Sequence, residues 1–357
     1  MHIPDGYLSP QTCAAFGVAM VPAWTIAGRK VRKVVKSRFV PLLAIGAAYC
    51  FLVMMFNVPI PDGTTAHAVG GVLVAVLLGP WAAVIAVTVA LAIQAVFFGD
   101  GGVLAFGANA FNMALVMPIV GYGVYKLVAG NSALTARRRA VAAGLGGYVG
   151  LNVAALCAAV EFGLQPSLFH SANGTPLYAP YHLAQTIPAM ALAHLAVAGV
   201  VEFVLTAGVV AYLQRANLPL LRINHGVLTE SGATVPRRPV RWRGVLISLG
   251  VMVALTPIGL LAPGTAFGEG APKDLDPHKY HLAGVPSGLR HYAGFWHNAI
   301  FSGYDFKHDA HPTVGYVVSA FVGVAAIALV VVLGFAIVRL ARRSRGGRRP
   351  NVAELLT

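Results

Sequence analysis

The sequence is short of charge. Only 11% of its 357 residues are Asp, Glu, Lys or Arg, against about 25% in soluble domains, which excludes a string of independent soluble domains. Acids are scarcer than bases, 12 against 26, leaving a formal net charge of +14. In a soluble protein that excess would point to nucleic acid. Here the basic residues fall in short clusters between apolar runs, so no nucleic-acid partner is expected. The three cysteines, Cys13, Cys50 and Cys157, stand singly in apolar stretches with no CxxC, which excludes a disulfide framework. There is no GxxxxGK[ST] phosphate loop, so the chain does not itself hydrolyse ATP by that route. HExxH is also missing, leaving an intramembrane zinc protease unsupported. Met1 to Ser9 lacks the basic stretch that opens a secretory signal, and the N-terminus is therefore expected to survive.

What the chain has is apolar length: 57% of it is hydrophobic. With about 20 apolar residues needed per crossing, nine segments can be drawn, near residues 11–27, 39–56, 64–78, 81–98, 103–128, 140–163, 181–213, 244–262 and 313–340. The basic clusters test this count, because Lys and Arg favour the cytoplasmic side. Placing residues 29–38, 126–139, 215–243 and 339–349 inside puts 22 of the 26 basic residues on one face. The other four, Lys273, Lys279, Arg290 and Lys307, share one loop on the opposite face. The expectation is an all-α polytopic membrane bundle of about seven spans plus two C-terminal spans, with an extracytoplasmic N-terminus. The basic loops also suit anionic membrane lipid. Residues 1–215 would form the main domain and 216–243 a cytoplasmic linker. A two-span unit over 244–345 would carry an outer loop at 263–312, before a tail at 346–357.

The first two residues carry the chemistry. The amine of Met1, the amide nitrogen of His2 and the His2 imidazole Nδ1 can close five- and six-membered rings on one ion. That places three nitrogens in a plane and leaves a fourth corner open, an arrangement suited to Ni(II) or Cu(II). His67, in the third segment and about one helical turn from its outer end, approaches from the same side as Met1. An ionisable residue at membrane depth usually marks a site or a pathway.

The strings MHIPDGYLSP (1–10), PDGTTAHAVGG (61–71), LLGPWAA (77–83), QAVFFGDGG (94–102) and GANAFNM (107–113) resemble the CbiM/NikM family. These are the substrate-binding membrane components of cobalt and nickel energy-coupling-factor transporters. The resemblance covers residues 1 to about 215. It implies a non-enzymatic capture subunit that loads Co2+ or Ni2+ from outside, with Met1, His2 and His67 as ligands. It also implies partners: a transmembrane component of the CbiQ/NikQ kind and two ATP-hydrolysing subunits of the CbiO/NikO kind, in a prokaryotic plasma membrane. Residues 236–345, with PSGLRHYAGF and GYDF, more loosely resemble the small accessory component CbiN/NikN or a PDGLE domain, without that domain's acidic name residue. No organic cofactor is implied. A self-contained divalent-metal channel or an ion-coupled carrier is the competing reading.

Further polar residues are candidates for supporting the ligands or lining the cavity: Asp5 and Asp62 in two Pro-Asp-Gly turns, and Gln94, Asn109 and Asn112 in apolar helices. Ligating histidines commonly donate their other N–H to such groups. Glu161 and Glu202 read as interhelical partners, and His182 and His194 as structural. Six histidines between residues 278 and 311 form a compositional signal alone.

Overall fold

The computed structural model describes residues 1–34, 39–60, 64–225, 240, 242–262, 264–306 and 311–346. A coil, Met1 to Ser9, precedes α1 (Pro10–Val34) and α2 (Val40–Met55), followed by a short hairpin, β1 (Asn57–Ile60) and β2 (Thr64–His67). Then come α3 (Gly71–Leu78) and the helices α4 (Pro80–Phe98), α5 (Phe106–Ala129), α6 (Arg137–Leu168) and α7 (Leu183–Ala216). The C-terminal part holds α8 (Leu218–His225), α9 (Trp242–Leu261), the one-turn α10 (Ser287–Tyr292) and α11 (Pro312–Gly346).

Among the described residues, α4, α5, α6, α7, α9 and α11 are each long and apolar enough to cross a bilayer. The fold is that of an all-α polytopic membrane protein. The outward faces of the peripheral helices are apolar, with Val204, Phe321 and Ile337 all exposed, as a lipid solvent allows. α2 is different. At 16 residues it is shorter, and Phe51, Leu52, Val53, Met54 and Met55 at its end are all buried.

The third apolar segment corrects the sequence reading. Residues 64–78 were expected to run as one helix. Instead, Thr64 to His67 pair antiparallel with Asn57 to Ile60, His67 opposite Asn57, and helix forms only over Gly71–Leu78. Eight residues rise only ~12 Å. The cause is local: Thr64 and Thr65 are β-branched and favour a strand, and Pro59 in the partner strand is a poor helix residue. His67 therefore ends a strand and is not one turn inside a helix.

The C-terminal region is packed into the bundle. α11 lies along α2, where the Tyr316 hydroxyl donates to the Met55 carbonyl at 3.3 Å. Gly323 faces the Phe51 ring so closely that a Cβ would collide with it. The segment between α9 and α11 packs over the end of α4. There Phe98 stacks on Tyr304 with ring centroids 4.9 Å apart, and Phe301 N–H donates to the Phe97 carbonyl at 3.0 Å.

Candidate metal centre

Chain ends are usually loose unless tied down, yet Met1, His2 and Ile3 are no more than 2% exposed. The ties are specific. Asn109 brackets Ile3: its Oδ1 accepts the Ile3 N–H at 2.8 Å and its Nδ2 donates to the Ile3 carbonyl at 3.0 Å. That carbonyl also accepts Gly102 N–H at 2.8 Å. The Asp5 carboxylate accepts the N–H groups of Val103, Leu104 and Ala105 at 3.1, 2.8 and 3.1 Å. These groups lead into α5, so the carboxylate also sits at the positive end of that helix. Burial raises the Asp5 carboxyl above its ordinary value, and the three N–H groups oppose the rise.

Two glycines make this approach possible. Gly6 has φ +91°, and a Cβ there would sit 2.6 Å from the Leu289 carbonyl of α10. A Cβ at Gly102 would run into the Asp5 carboxylate. Replacing Asp5 by Ala strands three backbone donors. It should cost about 2–4 kcal/mol of stability and reduce metal affinity about 10- to 100-fold. Thermal melting and a nickel isotherm on the same preparation check this, and an unchanged isotherm would detach Asp5 from the site.

The coil delivers the His2 ring to His67. The His67 Nδ1 lies 3.0 Å from the Ala68 carbonyl; donation there fixes the tautomer and leaves a lone pair on Nε2. That Nε2 is 3.2 Å from His2 Nδ1. The other side of the His2 ring, Nε2, faces Gln94 Oε1 at 3.3 Å, which leaves Nδ1 as the nitrogen turned toward His67. A proton or a cation shared between the two ring nitrogens satisfies both. Burial, then the nearby N-terminal ammonium, hold His67 well below the ordinary value of 6.5, so the ring is neutral and ready to ligate.

The separation matches one arrangement. In a planar chelate the fourth corner lies opposite the His2 amide and beside Nδ1. With metal–nitrogen bonds of ~2.0 Å, neighbouring corners are ~2.8 Å apart. The observed 3.2 Å needs only a small closure.

Gln94, which opens a π-helical turn at the end of α4 (Gln94–Phe98), is held in turn. Its Nε2 donates to the Tyr304 hydroxyl at 3.0 Å and to Asp100 Oδ2 at 3.3 Å, and Tyr304 donates to Asp100. Such π turns recur at functional sites because the extra residue re-aims a side chain. Asp100 Oδ1 lies 3.4 Å from His2 Nδ1.

Of the residues singled out in the sequence, Met1, His2, His67, Gln94, Asn109 and Asp5 converge here. Asn112 does not: its Nδ2 donates to Glu161 Oε2 at 2.9 Å, an interhelical bond between α5 and α6. Asp62 lies outside the described residues. Glu202 accepts the N–H groups of Val69 and Gly70 at 2.8 and 3.0 Å, bracing the segment just after His67. His194 Nδ1 bonds the Met190 carbonyl at 2.8 Å.

The sequence reading missed Glu269. This carboxylate, in the segment between α9 and α11, accepts the Met1 amine and, at 2.6 Å, the His2 N–H. Its only sequence signal is an acid between two glycines in a loop assigned to the same face as Met1.

Comparison with known proteins identifies the family. The model of the CbiM family, described as the cobalt uptake substrate-specific transmembrane region, matches residues 2–220. The fused nickel transport protein NikMN of Rhodobacter capsulatus is 48% identical over 357 residues, covering 96% of this chain and all of that one. The probable fused nickel transport protein LarMN of Lactiplantibacillus plantarum is 47% identical over 337 residues, 93% of this chain and 96% of that one. A crystal structure of a truncated transition metal transporter is 59% identical, with TM-score 0.56, covering 60% of this chain and 98% of its own. The full-length matches extend through the C-terminal region, which is accordingly NikN-like. The chain belongs to the CbiM family, as a multi-pass protein of a prokaryotic cell membrane with its accessory region fused in the same polypeptide.

Proposed function

We propose that this chain is the substrate-capture subunit of an energy-coupling-factor transporter and that its cargo is a single Ni2+ or Co2+ ion. The ion is held by the Met1 amine, the His2 amide nitrogen, His2 Nδ1 and His67 Nε2. The observation that carries this reading is the approach of His2 Nδ1 to His67 Nε2, 3.2 Å apart, on a buried N-terminal coil. Four in-plane nitrogens favour Ni2+, as does the Irving–Williams order, although supply in the cell can reverse the choice. The filled inner shell leaves no coordination position for turnover, so the site captures and does not catalyse. The N-terminus faces outward, and the ion enters from that side.

Release to the cytoplasm depends on reorientation by a transmembrane partner and two ATPases. Nothing in the chain resembles a phosphate loop of its own. Liposome reconstitution separates this from a self-contained carrier. Uptake of labelled nickel should require the CbiQ/NikQ-like and CbiO/NikO-like partners together with ATP. Coupled uptake by the chain alone would overturn the subunit reading. Metal content of protein grown with both ions decides between nickel and cobalt.

A further inference from the structure

Glu269 reaches the N-terminal chelate from the fused C-terminal region. The chain around it is fixed: the Tyr7 hydroxyl donates to the adjacent Gly270 carbonyl at 2.8 Å, and Phe267 packs on Tyr181 with ring centroids 4.9 Å apart. One carboxylate oxygen of Glu269, one ring nitrogen of His2 and one of His67 lie within 4.8 Å of one another. Glu269 is also the outermost of the three. Its side chain is 17% exposed, while the Met1 side chain beneath it is fully buried.

An ion entering from outside does not meet a ready square of nitrogens. The amine carries its protons and the amide its own, both donated to Glu269. The side-chain donors already gathered at ligand distances are the two imidazoles and the carboxylate. Imidazole and carboxylate together bind hydrated divalent first-row ions and leave the remaining positions to water.

We infer that Glu269 is the loading ligand of the site, holding the incoming hydrated ion with His2 Nδ1 and His67 Nε2 before handing it to the N-terminal amine and amide. This rests on the four-nitrogen reading above and adds the route to it. In the exchange the metal–carboxylate bond and the bonds to the remaining waters break, the waters leave to solvent, and bonds to the amine and amide nitrogens form. The departing carboxylate takes the amide proton that it already faces and passes it to water. The amine loses one proton to water as well, and the metal keeps its oxidation state. The carboxylate does not remain, because the planar set is complete with four nitrogens.

The test is the rate of nickel loading into the purified full-length chain, followed by the growth of planar nickel–nitrogen absorbance after mixing. Glu269→Gln keeps an oxygen to accept the amine and amide N–H groups but is a weaker ligand and cannot take a proton. It should load at least about tenfold more slowly. Glu269→Ala should be slower still and be accelerated by added formate, a small carboxylate able to enter the gap. The band position after complete loading should match that of the unaltered protein. Loading of Glu269→Gln at the unaltered rate would overturn the proposal and leave Glu269 an anchor of the N-terminus. A shifted final band would overturn it too, by making the carboxylate a resident ligand. If the unaltered protein shows no planar band, or His67→Ala retains it, the four-nitrogen site fails and the hand-over with it. A normal band with unslowed Glu269→Gln loading removes the hand-over alone.

Discussion

A single residue added ahead of Met1 should abolish tight metal binding as completely as His67→Ala. The amine is one corner of the proposed square, and its five-membered ring with the His2 amide exists only when His2 is the second residue. One extra residue moves the amine by ~3.8 Å along the chain and leaves an ordinary amide in its place. The coil has no slack to compensate. Ile3 is bracketed by Asn109, Asp5 is held by three N–H groups, and Met1 is buried with 2% exposure. Loss of one in-plane ligand from a preorganised chelate should weaken affinity by at least ~1,000-fold, about 4 kcal/mol. Isothermal titration of nickel into both variants checks this. A retained isotherm in the extended chain would remove Met1 from the ligand set, while a retained isotherm in His67→Ala would remove the fourth corner.

The second large effect is the dependence of affinity on pH. Capture must release one proton from the N-terminal ammonium and one from the His2 amide. Affinity should therefore fall about 100-fold per pH unit as the solution is acidified from neutrality, with about two protons released per ion. His67 adds no proton to that count, since burial already keeps it neutral. It acts instead on the fold. Its folded value lies below 6.5 while the unfolded chain titrates near 6.5. As pH falls below 6.5 the unfolded state binds the extra proton first, and stability drops with it. That stability is fully present above 6.5 and erodes in more acid solution. Titration in buffers of different ionisation enthalpy counts the protons. A flat profile between pH 8 and 6 would contradict an amine-and-amide chelate.

The meeting of Met1, His2 and His67 was readable because its signals are positional: a chelate needs His at the second position, and the charge bias of the loops assigns both segments to one face. Asn109 and Gln94 were readable more weakly, as polar groups in apolar helices. Asn112 shares that signal, yet it serves the α5–α6 interface through Glu161. One residue's polarity does not say which way a helix turns it, and here π-helical turns at Gln94–Phe98 and Ala110–Val116 alter the facing. The helical reading of residues 64–70 failed because apolar length dominated the local pull of two threonines toward a strand. Glu269 was not legible because its partner is 268 positions away. Only the packing of the segment between α9 and α11 against the N-terminal coil brings it there.

The central claim is that one ion is bound by the chain's first two residues and His67. X-ray absorption on the nickel-loaded full-length protein tests it most directly. The account predicts a planar shell of four nitrogens, two of them with imidazole scattering, and no oxygen or sulfur. An octahedral shell rich in oxygen, unchanged by His67→Ala, would contradict it.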